Sequence, residues 1–247
     1  MSALRPGYCR LCYNWRNLHL SHVVPRLIFN KICDHEGRYT FVPSDEKEPM
    51  VRRQAKPREN LFCTECEALF QAWENKVARW LFKHGRPRAT CIGSDPVRIK
   101  NSEYFHVKLF LMSLLYRSTV TDGGMFSRID IVSFQELLRD MLLNSIPGEA
   151  WQFGCIAHVL KTKGEWMGLG ISEPTIKYTE HGILVSWIVL GCLLTFYLGA
   201  KELPGVAWSL YPGEELKLRQ AELNNPSSIF GAWQKQRDLG LAMGYQV

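Results

Sequence analysis

Two Cys-x-x-Cys pairs, Cys9/Cys12 and Cys63/Cys66, constrain this chain more than any other feature. The first opens the stretch YCRLCYNWRNLHLSHVVPRLIFN, and the second lies in ENLFCTECEALF. A tight C-x-x-C turn presents two sulfurs on one side, and two such turns can close a tetrahedron of thiolates. Four soft sulfurs at this spacing suit Zn²⁺, and a filled four-cysteine site has no open position, which makes the ion structural. The N-terminus MSALRPGYCRLC carries no apolar signal region, so the expected location is the reducing cytoplasm, where C-x-x-C binds metal rather than forming disulfides. Cys33, Cys91, Cys155 and Cys192 are scattered and lie outside this pattern.

The pairs sit in different local structure. Leu18-His19-Leu20-Ser21-His22-Val23-Val24 roughly alternates and reads as extended until Pro25 breaks it. Residues 31–60, with three prolines and a basic RRQAKPR run, read as a loop or insertion. Apolar residues at Leu69, Phe70, Trp73, Val77, Trp80 and Leu81 follow a helical spacing ended by Gly85 and Pro87. A knuckle, an extended segment and a helix that opens on the second pair make a treble-clef arrangement, and a helix start favours thiolate.

A second body begins near Asn101. EYFHVKLFLMSLLYRSTVT reads as a buried helix, and SFQELLRDMLLNS as a helix with Ser133 as N-cap and Glu136 three residues on. WQFGCIAHVLKT and TIKYTEHGILVSWIVLGCLLTFYLG read as strands. The uncharged run Ile183–Ala200 admits a membrane span, but its β-branched residues and interruptions favour a buried hairpin turning at Gly191. The C-terminal GAWQKQRDLGLAMGYQV reads as weakly helical or a tail. The expected fold is α+β: a zinc-bound treble-clef (ββα-metal-like) module over 1–90, then a mixed helix and sheet body over 91–247 of unassigned role. That body is a candidate surface for a protein partner.

The net charge of +6 is unevenly spread. Residues 1–88 hold 16 Lys+Arg against 9 Asp+Glu, and the remainder holds 14 against 15. A basic module beside a neutral body fits a nucleic-acid partner, although the same charges also suit a solvated surface. His22 has three readings: a satisfied core histidine, a zinc ligand that four cysteines make redundant, or a general base beside a separate catalytic metal.

The set CRLC, LSHVVPRLIF and ENLFCTECEALF resembles the HNH endonucleases in their zinc-stapled form. The resemblance covers about the first third of the chain. It implies that Cys9, Cys12, Cys63 and Cys66 are the structural zinc ligands and that the partner is nucleic acid, with DNA favoured over RNA. It further implies His22 as general base for phosphodiester hydrolysis, Pro25 as the proline that follows it, and Asn60 as the family's asparagine. Glu67 stands where a histidine often holds the catalytic Mg²⁺ or Mn²⁺, and Ser21 stands where an acid is usual. Asp34, or Glu74 two turns beyond Glu67, can replace that acid; otherwise substrate phosphates complete the ion. Arg16, Arg26, Arg52, Arg53, Lys56 and Arg58 are candidate phosphate contacts. The competing readings are a non-catalytic zinc module that binds nucleic acid or protein, and a membrane-associated effector.

Overall fold

The computed structural model describes residues 4–43, 48–49, 51–54, 57–83, 86–87, 104–122, 129–162, 165–166, 170–201 and 219–222. The elements of the N-terminal third are β1 (Arg5–Tyr8), β2 (Trp15–His22), α1 (Arg26–Ile32), β3 (Tyr39–Val42), β4 (Val51–Arg53), β5 (Arg58–Cys63), α2 (Thr64–Leu81), β6 (Phe82–Lys83) and β7 (Arg86–Pro87). There follow α3 (Tyr104–Val120), α4 (Val132–Leu143), β8 (Gly154–Thr162), β9 (Glu165–Trp166), β10 (Gly170–Ser172), β11 (Thr175–Thr179), β12 (Gly182–Val189), β13 (Cys192–Leu198) and β14 (Arg219–Glu222). The chain is a mixed α+β protein with four helices among the described residues.

A small antiparallel sheet, β1-β2-β5, carries both cysteine pairs. The first pair lies in the loop joining β1 to β2, and the second spans the end of β5 and the first turn of α2. The helical stripe read from the sequence is the buried face of α2. Phe70, Trp73 and Val77 are buried, and Phe70 meets Phe62 of β5 edge-on at 4.9 Å. The side chains of Trp80 and Leu81, and all of Gly85, Lys56, Cys91 and the C-terminal segment, lie outside the described residues.

Helix α3 is buried on nearly every side from Val107 to Val120. Its polar residues survive burial by bonding backward: Ser113, Ser118 and Thr119 each donate to the carbonyl three residues earlier. Arg117 stacks over Phe70 and pairs with Glu74 at 2.7 Å, which ties α3 to α2. Lys108 is fully buried and donates to the carbonyls of Ala150 and Phe153 at 3.2 and 3.0 Å. Burial pushes its ammonium down to about 8. Above about pH 8 the unfolded chain therefore binds more protons than the folded one, and folding stability rises with pH until the free lysine value of about 10.4 is passed. Lys108→Met is expected to remove this rise, which is up to about 3 kcal/mol. Urea midpoints for both proteins from pH 7 to 10 check this; parallel curves would refute it.

The large sheet runs β14-β8-β13-β12-β10-β3-β4, with β11 on β12 and β9 on β8. The run Ile183–Ala200 is the expected hairpin: β12 and β13 pair antiparallel through a turn at Leu190 and Gly191. Both turn residues are left-handed, with φ of 55° and 67°, as a two-residue hairpin turn requires. The polar interruptions Ser186 and Thr195 lie directly opposite and bond each other at 3.0 Å in the core. No described helix is long and apolar enough to cross a membrane.

Two expectations differ from the structure. Residues 31–60 are not all loop: they contain the last two residues of α1, then β3 and β4, and the first half of β5, and β3 runs parallel to β10 in the large sheet. Tyr39, Phe41 and Val42 supply the burial that this strand needs. The turn before it is built by Asp34, whose carboxylate accepts the amides of Glu36 and Arg38 at 2.9 and 2.8 Å. Those bonds, with that from Arg38's amide foremost, hold the Asp34 carboxyl down to about 2. Helix α4 starts one residue before Ser133, with Ile131 at the cap and no side-chain cap bond. The amides of Phe134 and Gln135 bond to the Ile131 carbonyl instead, which frees Glu136 for a contact described below.

Candidate metal centre and the adjoining strand face

The hairpin loop after β1 is closed by backbone bonds from the Cys9 amide to Asn14 at 3.0 Å and from the Tyr13 amide to Cys9 at 2.9 Å. The Arg10 amide bonds to Leu61 of β5 at 2.8 Å, which brings this knuckle against the second cysteine pair. The four Sγ atoms of Cys9, Cys12, Cys63 and Cys66 all lie within 4.8 Å of one another. Cys12 and Cys63 are 3.9 Å apart. Thiolates at a Zn–S distance of about 2.3 Å form a tetrahedron with edges of about 3.8 Å, so the four sulfurs are placed to bind a metal ion of that kind. Cys9, Cys63 and Cys66 are buried and Cys12 half-buried.

The electrostatics agree. The Cys66 thiol donates to Cys9, and backbone amides including that of Cys63 at 3.4 Å point at the same sulfur, so Cys9 is drawn down to about 4. The same bond to Cys9, together with burial, pushes Cys66 upward, and burial lifts Cys63 to about 11. One thiolate forms readily here. Four do so only around a cation, and so metal binding should release protons.

The strand residues beyond the knuckle divide between two faces. The β2–β5 register shifts between His19 and Leu20, and past that point Ser21 faces Glu59 and His22 faces Arg58. Ser21 is buried and its hydroxyl donates a short hydrogen bond to Glu67, 46 residues away on α2. Glu59 accepts from the Thr121 hydroxyl and from the Asp122 amide at 2.9 Å, so α3's end covers this face. On the other face His22 packs toward the buried ring of Phe29, with centroids 6.3 Å apart. Asn60, opposite Leu20 on that face, has a buried Oδ1 with no hydrogen-bond partner among the described residues.

The structure therefore brings Ser21 to Glu67, and His22 to Arg58 and the Asn60 side. It does not gather the whole basic set. Arg52 bonds Asp34 at 2.8 Å, and Arg53 stacks on Phe41 at 3.7 Å. Arg16, Arg26 and Arg58 are exposed. Of the two carboxylates expected as replacements for the acid at 21, Asp34 is engaged by Arg38 and Arg52, and Glu74 by Arg117. Sequence reasoning missed Glu59, Thr121 and Arg117. Only Arg117 left a signal, as the one arginine inside an apolar helical run.

No protein-family model matches this chain, and no curated protein or solved structure matches it.

Proposed function

We propose that the four cysteines hold a structural Zn²⁺ in a treble-clef module, and that the chain is a metal-dependent HNH-type nuclease acting on nucleic acid. The contact between Ser21 and Glu67 carries this reading: the two positions that the resemblance assigns to the catalytic ion touch, although they are 46 positions apart in the sequence. Glu67 and the Ser21 hydroxyl are too few oxygens for Mg²⁺ or Mn²⁺ alone, but they fit an ion that also takes substrate phosphate oxygens. When bound, that ion would offset the charge developing on phosphorus and the leaving oxygen. His22 accepts a proton from the attacking water, Asn60 offers an unpartnered carbonyl oxygen on the same face, and the exposed Arg58 opposite His22 positions a phosphate.

A second reading is a zinc module that binds nucleic acid without cutting it. It is favoured by the neutral Ser21 in place of an acid, by the prior engagement of Asp34 and Glu74, and by strand alternation, which turns His22 toward Phe29 while Ser21 points to Glu67. Labelled single- and double-stranded DNA and RNA, incubated with wild type and His22→Ala in Mg²⁺ or Mn²⁺, separate the two. Cleavage lost in the variant supports the nuclease. Salt-sensitive binding without cleavage by either protein supports the second reading.

Ser21→Asp is expected to tighten Mn²⁺ binding by zinc-loaded protein about tenfold in the absence of nucleic acid, because it adds a carboxylate beside Glu67. Calorimetric titration measures this directly. Equal affinities would show that the ion does not bind between residues 21 and 67.

A further inference from the structure

The knuckle that carries Cys9 and Cys12 is gripped from the body by side chains that the metal does not need. Tyr116 of α3 donates a short hydrogen bond to the carbonyl of Arg10, and Arg139 of α4 donates to that of Leu11 at 3.0 Å. These carbonyls belong to the two residues between the cysteines, so their directions are set by how Cys9 and Cys12 are held. Tyr13 follows directly. Its hydroxyl donates to Glu136 of α4 at 2.6 Å, and its ring lies 4.4 Å from the guanidinium carbon of Arg139. Arg139 is itself fixed by Glu136 at 2.9 Å and Asp140 at 2.6 Å. An exposed pair between Arg10 and Asp122 at 2.9 Å adds little.

Tyr13 is a costly residue at its position. Its φ of 59° lies in the left-handed region, where a residue with a side chain costs about 1–2 kcal/mol and glycine does not. A tyrosine that reaches α4 with both its ring and its hydroxyl gives that strain a use.

We propose that the knuckle is a metal-dependent latch, through which occupancy of the four-sulfur centre governs the docking of α4 onto the N-terminal module. The latch rests on the centre holding an ion and does not require nuclease activity. With an ion, the sulfurs fix the Arg10 and Leu11 carbonyls and present Tyr13 to Glu136 and Arg139. Without one, nothing covalent or ionic keeps the four sulfurs together, and the knuckle relaxes. Helix α4 then loses three contacts at once, two to Tyr13 and one to Leu11, and α3 loses the bond from Tyr116 to Arg10. Val132 and Leu137, already exposed on α4 at 71% and 47%, mark an outward side that the latch holds in place.

Hydrogen exchange on the full chain tests this, with metal content measured on the same samples. Stripping the ion with a chelator is expected to lower amide protection in 132–143 by about tenfold or more, while the amides of β12 and β13 keep theirs. Tyr13→Gly supplies the independent arm. It relieves the backbone and leaves all four cysteines, so it should keep one metal per chain, yet lose α4 protection to a similar degree. Tyr13→Phe, which keeps the stacked ring and loses only the hydroxyl, should fall between. Unchanged α4 protection in the stripped protein or in Tyr13→Gly overturns the latch. So does loss at β12 and β13 equal to that at α4, which would be global unfolding. A protein that carries no metal as isolated would overturn both the latch and the zinc reading of the centre. Metal present with α4 indifferent to its removal would overturn the latch alone.

Discussion

Cys63→Ser is expected to lose its bound metal and unfold the knuckle, β5's end and the start of α2 together. The free energy of a four-thiolate zinc site, about 10–16 kcal/mol in small domains, is largely folding energy, because no preformed site exists in the unfolded chain. Cys63 is the worst sulfur to remove. It lies 3.9 Å from Cys12, its amide donates to Cys9, and it ends the strand that abuts α2. Phe62, beside it, packs on Phe70 at the head of the α2 core, so the damage should travel into that face. Metal analysis and tryptophan fluorescence read the outcome, with one zinc per chain expected in wild type and essentially none in the variant. Cys155→Ser and Cys192→Ser serve as controls. Both residues belong to the large sheet, and burial pushes both thiols up to about 12, so neither is disposed to ligate. Zinc retained at one equivalent by a double Cys63/Cys66 serine variant would refute the assignment.

His22→Ala is expected to reduce cleavage by about 10²–10⁴-fold, the range of a positioned general base, with zinc content and thermal midpoint little changed. The structural cost should be small because His22 is only half-buried and sits at the end of β2, where its ring meets Phe29 at one edge of the core. Glu67→Ala makes an informative companion. It should raise the Mg²⁺ or Mn²⁺ concentration needed for half-maximal rate, and it leaves the buried Ser21 hydroxyl without its acceptor on α2. A His22→Ala protein that cleaves at the wild-type rate would mean that the proton is taken elsewhere.

What could be read from the sequence was what repeats at short range. The C-x-x-C spacing located the cluster of four sulfurs placed to bind a metal ion, because sulfurs with that local geometry have few other uses. The 3.6-residue period gave α2, and β-branched runs broken at Gly191 gave the central hairpin. What escaped was decided over long distances. Tyr39, Phe41 and Val42 make too short an apolar run to announce a strand among charges, and their partner β10 lies some 130 residues on. Ser133 and Glu136 formed a plausible cap on paper, but Glu136 is taken by Tyr13, which no local rule could indicate. The basic surplus was visible; that Arg52 and Arg53 are occupied by Asp34 and Phe41 was not. That the serine at 21 bonds Glu67 on α2 could not be seen from β2 alone.

The parallel pairing of β3 with β10 gives this protein a schedule. Every residue of the cysteine centre is synthesised by position 66, so the knuckle and the head of α2 can close on an ion while most of the chain is still being made. β3 cannot finish. Its sheet neighbour on one side, β4, follows it closely, but the other edge waits for residues 170–172. Until then it presents unpaired amides and carbonyls at a strand edge, which is the kind of surface that recruits stray strands. Closing so long a loop is also among the slower steps available to a chain of this size. A nascent or truncated product that stops before β10 would therefore carry a formed metal centre and an open edge together, soluble chemistry at one end and an adhesive strand at the other.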